Sequence, residues 1–126
     1  MGSRSTGTVG DRAEQKALGF LVRQGLKPVT QNFRCRSGEI DLIMLHGDCL
    51  TFVEVRYRKS TRFSPPASTV DPRKQRKIVR TAALFLSSMQ RYARHTMRFD
   101  IVAISGDKDR TVEWIQDAFR PGDSSL

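Results

Sequence analysis

Three charged side chains lie inside two segments that otherwise have the pattern of buried β-strands. The stretch GEIDLIMLHGDCLTFVEVRYR (residues 38–58) predicts a hairpin with its turn at HGD, with Asp41 in the first strand and Glu54 and Arg56 in the second. Strand side chains alternate between faces, so Phe52, Glu54 and Arg56 share one face. Antiparallel pairing can bring Asp41 close to Glu54. Two neighbouring carboxylates repel each other, and burying them is unfavourable unless a partner compensates.

A divalent cation supplies such compensation. Mg²⁺ is usually held by one or two carboxylates, with its other positions left to water and substrate phosphate, and it can promote attack on a phosphodiester. Arg56 cannot lose its proton near neutral pH, so we expect it to bind phosphate or offset negative charge instead of acting as a base. Alternation also groups Glu39 with Asp41 and Ile43. Glu39 is interpreted either as a further metal ligand or as a surface acid.

The elements that must position these groups follow from hydrophobic periodicity and turn residues. An amphipathic helix is predicted over residues 10–24, ended by Gly25. Asp71 and Pro72 predict the start of a second helix that runs to about Tyr92. Five segments have the composition of strands, namely 28–33, 40–44, 50–57, 97–104 and 111–117.

This order of elements, α-β-β-β-α-β-β, predicts an α/β protein with a central mixed β-sheet flanked by helices in three layers. We expect a single domain over residues 9–119. A flexible lead is predicted at 1–8, a loop at 60–66 and a frayed tail at 120–126.

Basic residues are concentrated in one part of the chain. Lys and Arg number 22 against 13 acidic residues, a net charge of +9. Twelve basic residues and one acidic residue lie between Arg56 and Arg98. This clustering predicts a polyanion as partner, with nucleic acid ahead of an anionic membrane, and a solvated basic face is the simpler alternative. The residues predicted to bind nucleic acid are Arg58, Arg73, Lys74, Gln75, Lys77 and Arg80.

Several other chemistries are disfavoured. The chain has no Walker A, GxGxxG, GxSxG or HExxH motif. Its two histidines and two cysteines lack the spacing of a zinc site, and Cys35 is expected in a loop. Asp100 is expected to pair with an arginine, either Arg98 or Arg56, ahead of the alternative that it binds metal. Without a long apolar span or a signal-peptide core, we expect a cytoplasmic protein with no membrane partner.

Several motifs in order resemble a known family. GEIDLI, FVEVRYR, a basic helix beginning KQRK, and RFDIVAI resemble the YraN-type family of small, uncharacterised bacterial proteins, over residues of about 10 to 119. Asp41–x12–Glu54-x-Arg56 resembles the Asp–xn–(Asp/Glu)-x-Lys signature of the restriction-endonuclease-like, PD-(D/E)XK fold. The family is in turn similar to archaeal Holliday-junction resolvases.

The resemblance implies a metal-binding pair, Asp41 and Glu54, that holds Mg²⁺ or Mn²⁺. It also implies that Glu14 of the first helix faces the metal, although an ordinary surface acid is an equal alternative. Arg56 stands where the signature has lysine, and we expect it to stabilise negative charge.

We therefore expect a metal-dependent endonuclease that acts on branched, flapped or single-stranded nucleic acid, with DNA ahead of RNA. Cutting both strands of a symmetric junction requires two copies of one small domain, so the sequence leaves open whether the protein is a homodimer. Because position 56 is arginine, a nucleic-acid-binding module without turnover on the same scaffold is the first alternative. A basic interaction protein of a ribosomal or membrane-surface assembly is the second.

Overall fold

The computed structural model describes residues 9–59, 66, 69–106 and 111–122. The lead predicted at 1–8 and all but residue 66 of the loop predicted at 60–66 lie outside them. The described elements, in chain order, are α1 (Val9–Arg23), β1 (Lys27–Cys35), β2 (Gly38–His46), β3 (Cys49–Arg58), α2 (Pro72–Ser88), a 3₁₀ turn (Gln90–Tyr92), β4 (Thr96–Ser105) and β5 (Thr111–Phe119). The predicted α-β-β-β-α-β-β order is confirmed.

The five strands form one mixed sheet in the order β1-β2-β3-β4-β5. β3 and β4 run parallel, whereas the other neighbours are antiparallel. Parallel neighbours need a crossover connection, and α2 lies in the segment that joins β3 to β4. This arrangement brings the start of α2 close to the end of β3, where Glu54 and Arg56 lie.

The two helices cover opposite faces of the sheet. The apolar side of α2 packs on one face with Phe52 and Phe99, through Ile78, Ala82 and Phe85. On the other face, α1 packs against a second set of buried residues that includes Leu42, Val53 and Val102, through Ala13, Ala17 and Leu21. The predicted three layers, with a central mixed sheet between helices, are therefore present.

Two local predictions were wrong. α2 ends at Ser88 instead of near Tyr92, because Met89 (φ −128°, ψ 72°) leaves the helical conformation before the 3₁₀ turn. Cys35 is the last residue of β1 and is not in a loop, because β1 pairs with β2 as far as Gly38. Neither described helix has the length and apolar character needed to cross a bilayer.

The alternation expected along β2 is interrupted beside Asp41. Ile40 and Ile43 both pack on the α2 face, whereas Leu42 packs on the α1 face. Regular alternation would place residues three apart on opposite faces. The irregularity puts Asp41 at the boundary between the two layers, where side chains from both faces can reach it.

Candidate metal centre and nucleic-acid interface

A cleft opens where β2 and β3 separate. Their described ladder runs from the His46–Cys49 pair to the Leu42–Val53 pair. Beyond it, the Val55 N–H donates to Asp41 Oδ2 at 2.8 Å, so a side chain takes the place of a backbone acceptor. We call this the acidic cleft, and it is lined by Gly38, Glu39, Asp41, Glu54, Val55, Lys74, Lys77 and Ile78. The structure thus brings Asp41 and Glu54 to one cleft.

Three carboxylates converge at one side of this cleft. Glu14, Glu39 and Asp41 each place an oxygen within 4.8 Å of the other two, and we call them the acidic triad. Glu14 lies on α1 next to buried Ala13, and it shares hydrogen bonds with Asp41 and Asn32. Of its two predicted orientations, Glu14 therefore adopts the one that faces the site. Glu39 also forms a salt bridge with an arginine of β1 at 3.4 Å, as its surface interpretation predicts, whereas metal binding by Glu39 stays a prediction.

The environment of Asp41 and Glu14 raises the pKa of both carboxyl groups. The pKa of Asp41 is raised to about 8, first by burial and then by the charge of Glu54, with Glu14 and Glu39 adding to it and the Val55 N–H opposing it. Burial is also the main cause that raises the pKa of Glu14. A positive charge at this position would offset both the burial and the repulsion that raise these pKa values.

Glu54 lies across the cleft and has a partner of its own. Its Oε2 is 2.5 Å from Lys74 Nζ at the start of α2, and its side chain is 11% exposed against 55% for Lys74. The resemblance grouped Asp41 with Glu54 as the metal-binding pair. The structure places both residues in the acidic cleft, brings Glu14 and Glu39 to Asp41 as well, and holds Glu54 in contact with an ammonium group.

Arg56 and Gln75 hold the chain that leads into α2. Arg56 donates to the carbonyl oxygen of Thr69 and is not among the described residues that line the acidic cleft. Gln75 Nε2 donates to the carbonyl oxygen of Val70 at 2.9 Å. Lys74 lies in the first turn of the helix whose start these contacts stabilise, and it is in contact with Glu54.

The other predicted nucleic-acid-binding residues fall into two groups. Arg73, Lys77 and Arg80 are exposed on α2, as is Arg76, and the helix carries no acidic residue. We call these four residues the basic face of α2. Arg58 does not belong to it, because its side chain is 10% exposed and lies 3.6 Å from Glu113 Oε1.

Asp100 has a structural environment away from the cleft. It is fully buried and accepts two hydrogen bonds from Arg98, at 2.8 and 2.9 Å. Trp114 Nε1 and the Asp117 N–H also donate to it, at 2.9 and 3.0 Å. Its expected pairing with Arg98 is confirmed. Arg98 further contacts His46 Nδ1 at 2.9 Å, which ties the end of β2 to the same network.

Sequence reasoning missed one residue of the site. Asn32 lies in β1 between the pairs Gln31–Leu42 and Phe33–Ile40, and therefore opposite Asp41. It has a left-handed φ of 51°, a conformation that Asn adopts more readily than most residues, and it hydrogen-bonds Glu14. The available signal was an asparagine, a poor strand former, inside a predicted strand.

Comparisons with known proteins give one consistent match. The model of "Uncharacterised protein family UPF0102" matches residues 13–104, which include the acidic triad and Lys74. The chain is similar to a UPF0102 protein of Pseudomonas putida (strain W619), with 43% identity over 94% of this chain and 98% of the relative. UPF0102 proteins of Pseudomonas syringae pv. syringae (strain B728a) and Stutzerimonas stutzeri (strain A1501) are each 46% identical, over 87% of this chain and 91% and 92% of theirs.

Proposed function

Because the chain belongs to the uncharacterised protein family UPF0102, its activity has to be inferred from the site, and we propose that it is a metal-dependent endonuclease that hydrolyses phosphodiester bonds in structured nucleic acid. One observation carries the proposal. Oxygens of Glu14, Glu39 and Asp41 converge within 4.8 Å. Glu39 and Asp41 line the acidic cleft, which also contains the Glu54–Lys74 pair and borders a basic helix.

The residues present fit a hard divalent cation such as Mg²⁺ or Mn²⁺. The donors are carboxylate oxygens, the ligands these ions prefer. Oxygens around one such ion lie within ~4–5 Å of each other, comparable with the span of the acidic triad. Burial and mutual repulsion raise the pKa of Asp41 to about 8, and a bound cation offsets both effects. When bound, the ion supplies charge stabilisation at the phosphoryl group and lowers the pKa of water.

Lys74 takes the role that the nuclease signature assigns to the lysine two residues after Glu54. Its ammonium group lies in the cleft, where it can contact the scissile phosphate and stabilise charge that develops there. Arg56 then acts indirectly, by holding Thr69 and with it the start of α2.

The basic face of α2 supports a nucleic-acid substrate. Lys77 is exposed and lines the cleft, and Arg73 is exposed one turn before it on α2. Contacts of this kind bind backbone phosphates and fix the position of a substrate without reading its sequence. Four features stay predictions: selectivity for the shape of the nucleic acid, preference for DNA over RNA, a cytoplasmic location, and a homodimer that cuts two strands.

A specific observation favours a second candidate, a nucleic-acid-binding module without turnover. Lys74 already neutralises Glu54, and a carboxylate held by an ammonium group is a weaker metal ligand. In this case the basic face binds nucleic acid and the acidic triad has no catalytic role.

Incubation of the purified protein with branched, flapped, single-stranded and linear DNA and RNA, in Mg²⁺, Mn²⁺ or EDTA, separates the two candidates. The nuclease cuts with metal and not with EDTA, and Asp41→Asn lowers the cleavage rate by about 10²-fold or more. Asp48→Asn, which removes an exposed acid of the β2–β3 turn, is the matched control and retains activity. Salt-sensitive binding without any cleavage, unchanged by Asp41→Asn, identifies the binding module.

A further inference from the structure

Two pockets lie on the two sides of α2. Lys74, Lys77 and Ile78 line the acidic cleft. A second pocket, which we call the arginine pocket, is lined by Gln75, Arg76, Val79, Arg80, Arg120 and Gly122. Its lining differs from that of the acidic cleft, because none of the residues described there is acidic.

Helix geometry places these pockets on opposite flanks. At about 3.6 residues per turn, positions 76 and 80 point roughly half a turn away from positions 74 and 78. Arg73 and Lys77 are exposed on the arc between them. The N-terminal half of α2 therefore presents basic side chains from one flank, across its exposed surface, to the other flank.

The arginine pocket has the composition of a phosphate-binding site. Three guanidinium groups border a partly apolar floor that includes Val79. Arg120 also binds the Asp117 carboxylate at 2.6 Å and holds the pKa of that acid below its ordinary value. Arg76 and Arg80 come from the helix and have the planar donor geometry that binds phosphate oxygens in pairs.

The distance between the flanks suits one class of nucleic acid. An α-helix with its side chains is about 10–12 Å across, and the major groove of B-form DNA is about 12 Å wide and is bordered by the backbones of both strands. The major groove of A-form RNA is too narrow to admit a helix. A single strand has no second backbone and must bend around the helix to reach both flanks, which costs conformational entropy.

We infer that the substrate is B-form double-stranded DNA, with the N-terminal half of α2 in its major groove. One strand enters the acidic cleft, and phosphates of the complementary strand bind at the arginine pocket. The statement that the strand in the acidic cleft is the one that is cut rests on the proposed nuclease function. The statement that a duplex binds on both flanks of α2 does not.

Binding measured by fluorescence anisotropy in EDTA tests the inference without any cleavage. The probes are a short DNA duplex, one of its strands alone, and an RNA duplex of the same sequence. The wild type is expected to bind the DNA duplex about tenfold or more tightly than either other probe. Arg76→Gln/Arg80→Gln is expected to weaken duplex DNA binding by about tenfold and to lower the salt slope by about 1.8, since each phosphate contact contributes about 0.9. Its affinity for the single strand is expected to change by less than about threefold.

Two further variants make the result decisive. Arg12→Gln/Arg23→Gln removes the same charge from exposed positions of α1, on the other face of the sheet, and is expected to leave duplex preference unchanged. Arg76→Lys/Arg80→Lys keeps the charge and is expected to retain the salt slope. The inference would be overturned if Arg76→Gln/Arg80→Gln weakened the binding of all three probes equally, or of none of them. It would also be overturned if the α1 variant weakened duplex binding as much.

The outcome is distinguishable from failure of the proposed function. A protein that binds duplex DNA through Arg76 and Arg80 but never cuts supports the inference and excludes the nuclease. A protein that cuts single strands with metal and shows no preference for the duplex supports the nuclease and overturns the inference.

Discussion

The Val55 N–H donates to Asp41 Oδ2 across 2.8 Å, at the point where β2 and β3 cease to pair. This contact accounts for a charged residue inside a buried hairpin, because the carboxylate satisfies a backbone donor that the separating strand leaves without a ladder partner. It also orients the Asp41 carboxyl group next to Glu14 and Glu39.

We predict that Asp41 makes the metal-free protein less stable as pH rises. Its pKa is 3.8 ordinarily and about 8 in the fold, so the folded state holds the proton more tightly than the unfolded state. The free energy of unfolding should therefore fall between about pH 4 and about pH 8 and level off above that. Asp41→Asn keeps an acceptor for Val55 and removes the charge.

Urea denaturation in EDTA measures this effect. At about pH 9 the Asn variant should be more stable than the wild type by several kcal/mol, up to about 6, and at about pH 4 the difference should nearly vanish. Wild-type stability that rises over this range relative to the variant would contradict the prediction.

Glu14 and Glu39 should each contribute to metal affinity. Glu14→Gln or Glu39→Gln removes a charged oxygen from the acidic triad, so Mn²⁺ binding measured by calorimetry should weaken by about tenfold or more in each variant. Asp48→Asn should bind Mn²⁺ as the wild type does. Equal weakening in all three variants would show that net charge, and not the acidic triad, determines the affinity.

Lys74 should act in the chemical step and Lys77 mainly in binding. Both lysines are exposed and line the cleft, and Lys74 is the one in contact with Glu54. Lys74→Gln should lower kcat by about 10²-fold, and Lys77→Gln should mainly raise KM. Steady-state cleavage kinetics on one labelled duplex distinguish the two effects.

The Arg56→Ala variant tests whether Lys74 or Arg56 is the cation that acts in the chemical step. Because Arg56 holds Thr69 and does not line the cleft, its loss should lower the denaturation midpoint together with activity. A kcat loss in Arg56→Ala as large as that of Lys74→Gln, with unchanged stability, would instead assign the catalytic cation to Arg56.

Asp100 should matter for stability and not for metal binding. Asp100→Ala leaves the Arg98 charge and the donors of Trp114 and Asp117 without their acceptor, which should cost about 3–5 kcal/mol of unfolding free energy. Urea denaturation followed by Trp114 fluorescence measures the loss. A variant that stays folded should bind Mn²⁺ normally, and reduced Mn²⁺ affinity in folded protein would contradict a purely structural role.

Most of the fold could be predicted because its signals are local. The apolar spacing of α1, the Asp71–Pro72 start of α2 and the HGD turn each act within a few residues, and they give the correct order of helices and strands. The motif order also identified the YraN-type relationship, which the UPF0102 match confirms. The end of α2 was missed because no glycine or proline marks it.

The detailed site could not be predicted because it depends on contacts between distant segments. Glu14 and Asp41 meet only because α1 packs over the end of β2 at an interruption of its alternation. Lys74 reaches Glu54 through the position of α2 in the crossover. Arg56 lies on the predicted strand, yet its long side chain extends to a backbone carbonyl that the pattern of β3 could not identify.

Anomalous diffraction from crystals of the wild-type protein soaked in Mn²⁺ tests the metal centre most directly. The proposed function predicts a peak about 2.0–2.6 Å from carboxylate oxygens of Asp41 and of Glu14 or Glu39. Ordered Mn²⁺ elsewhere on the protein, with no peak at the acidic triad and with Glu14 still hydrogen-bonded to Asp41, would contradict a metal-dependent nuclease at this site.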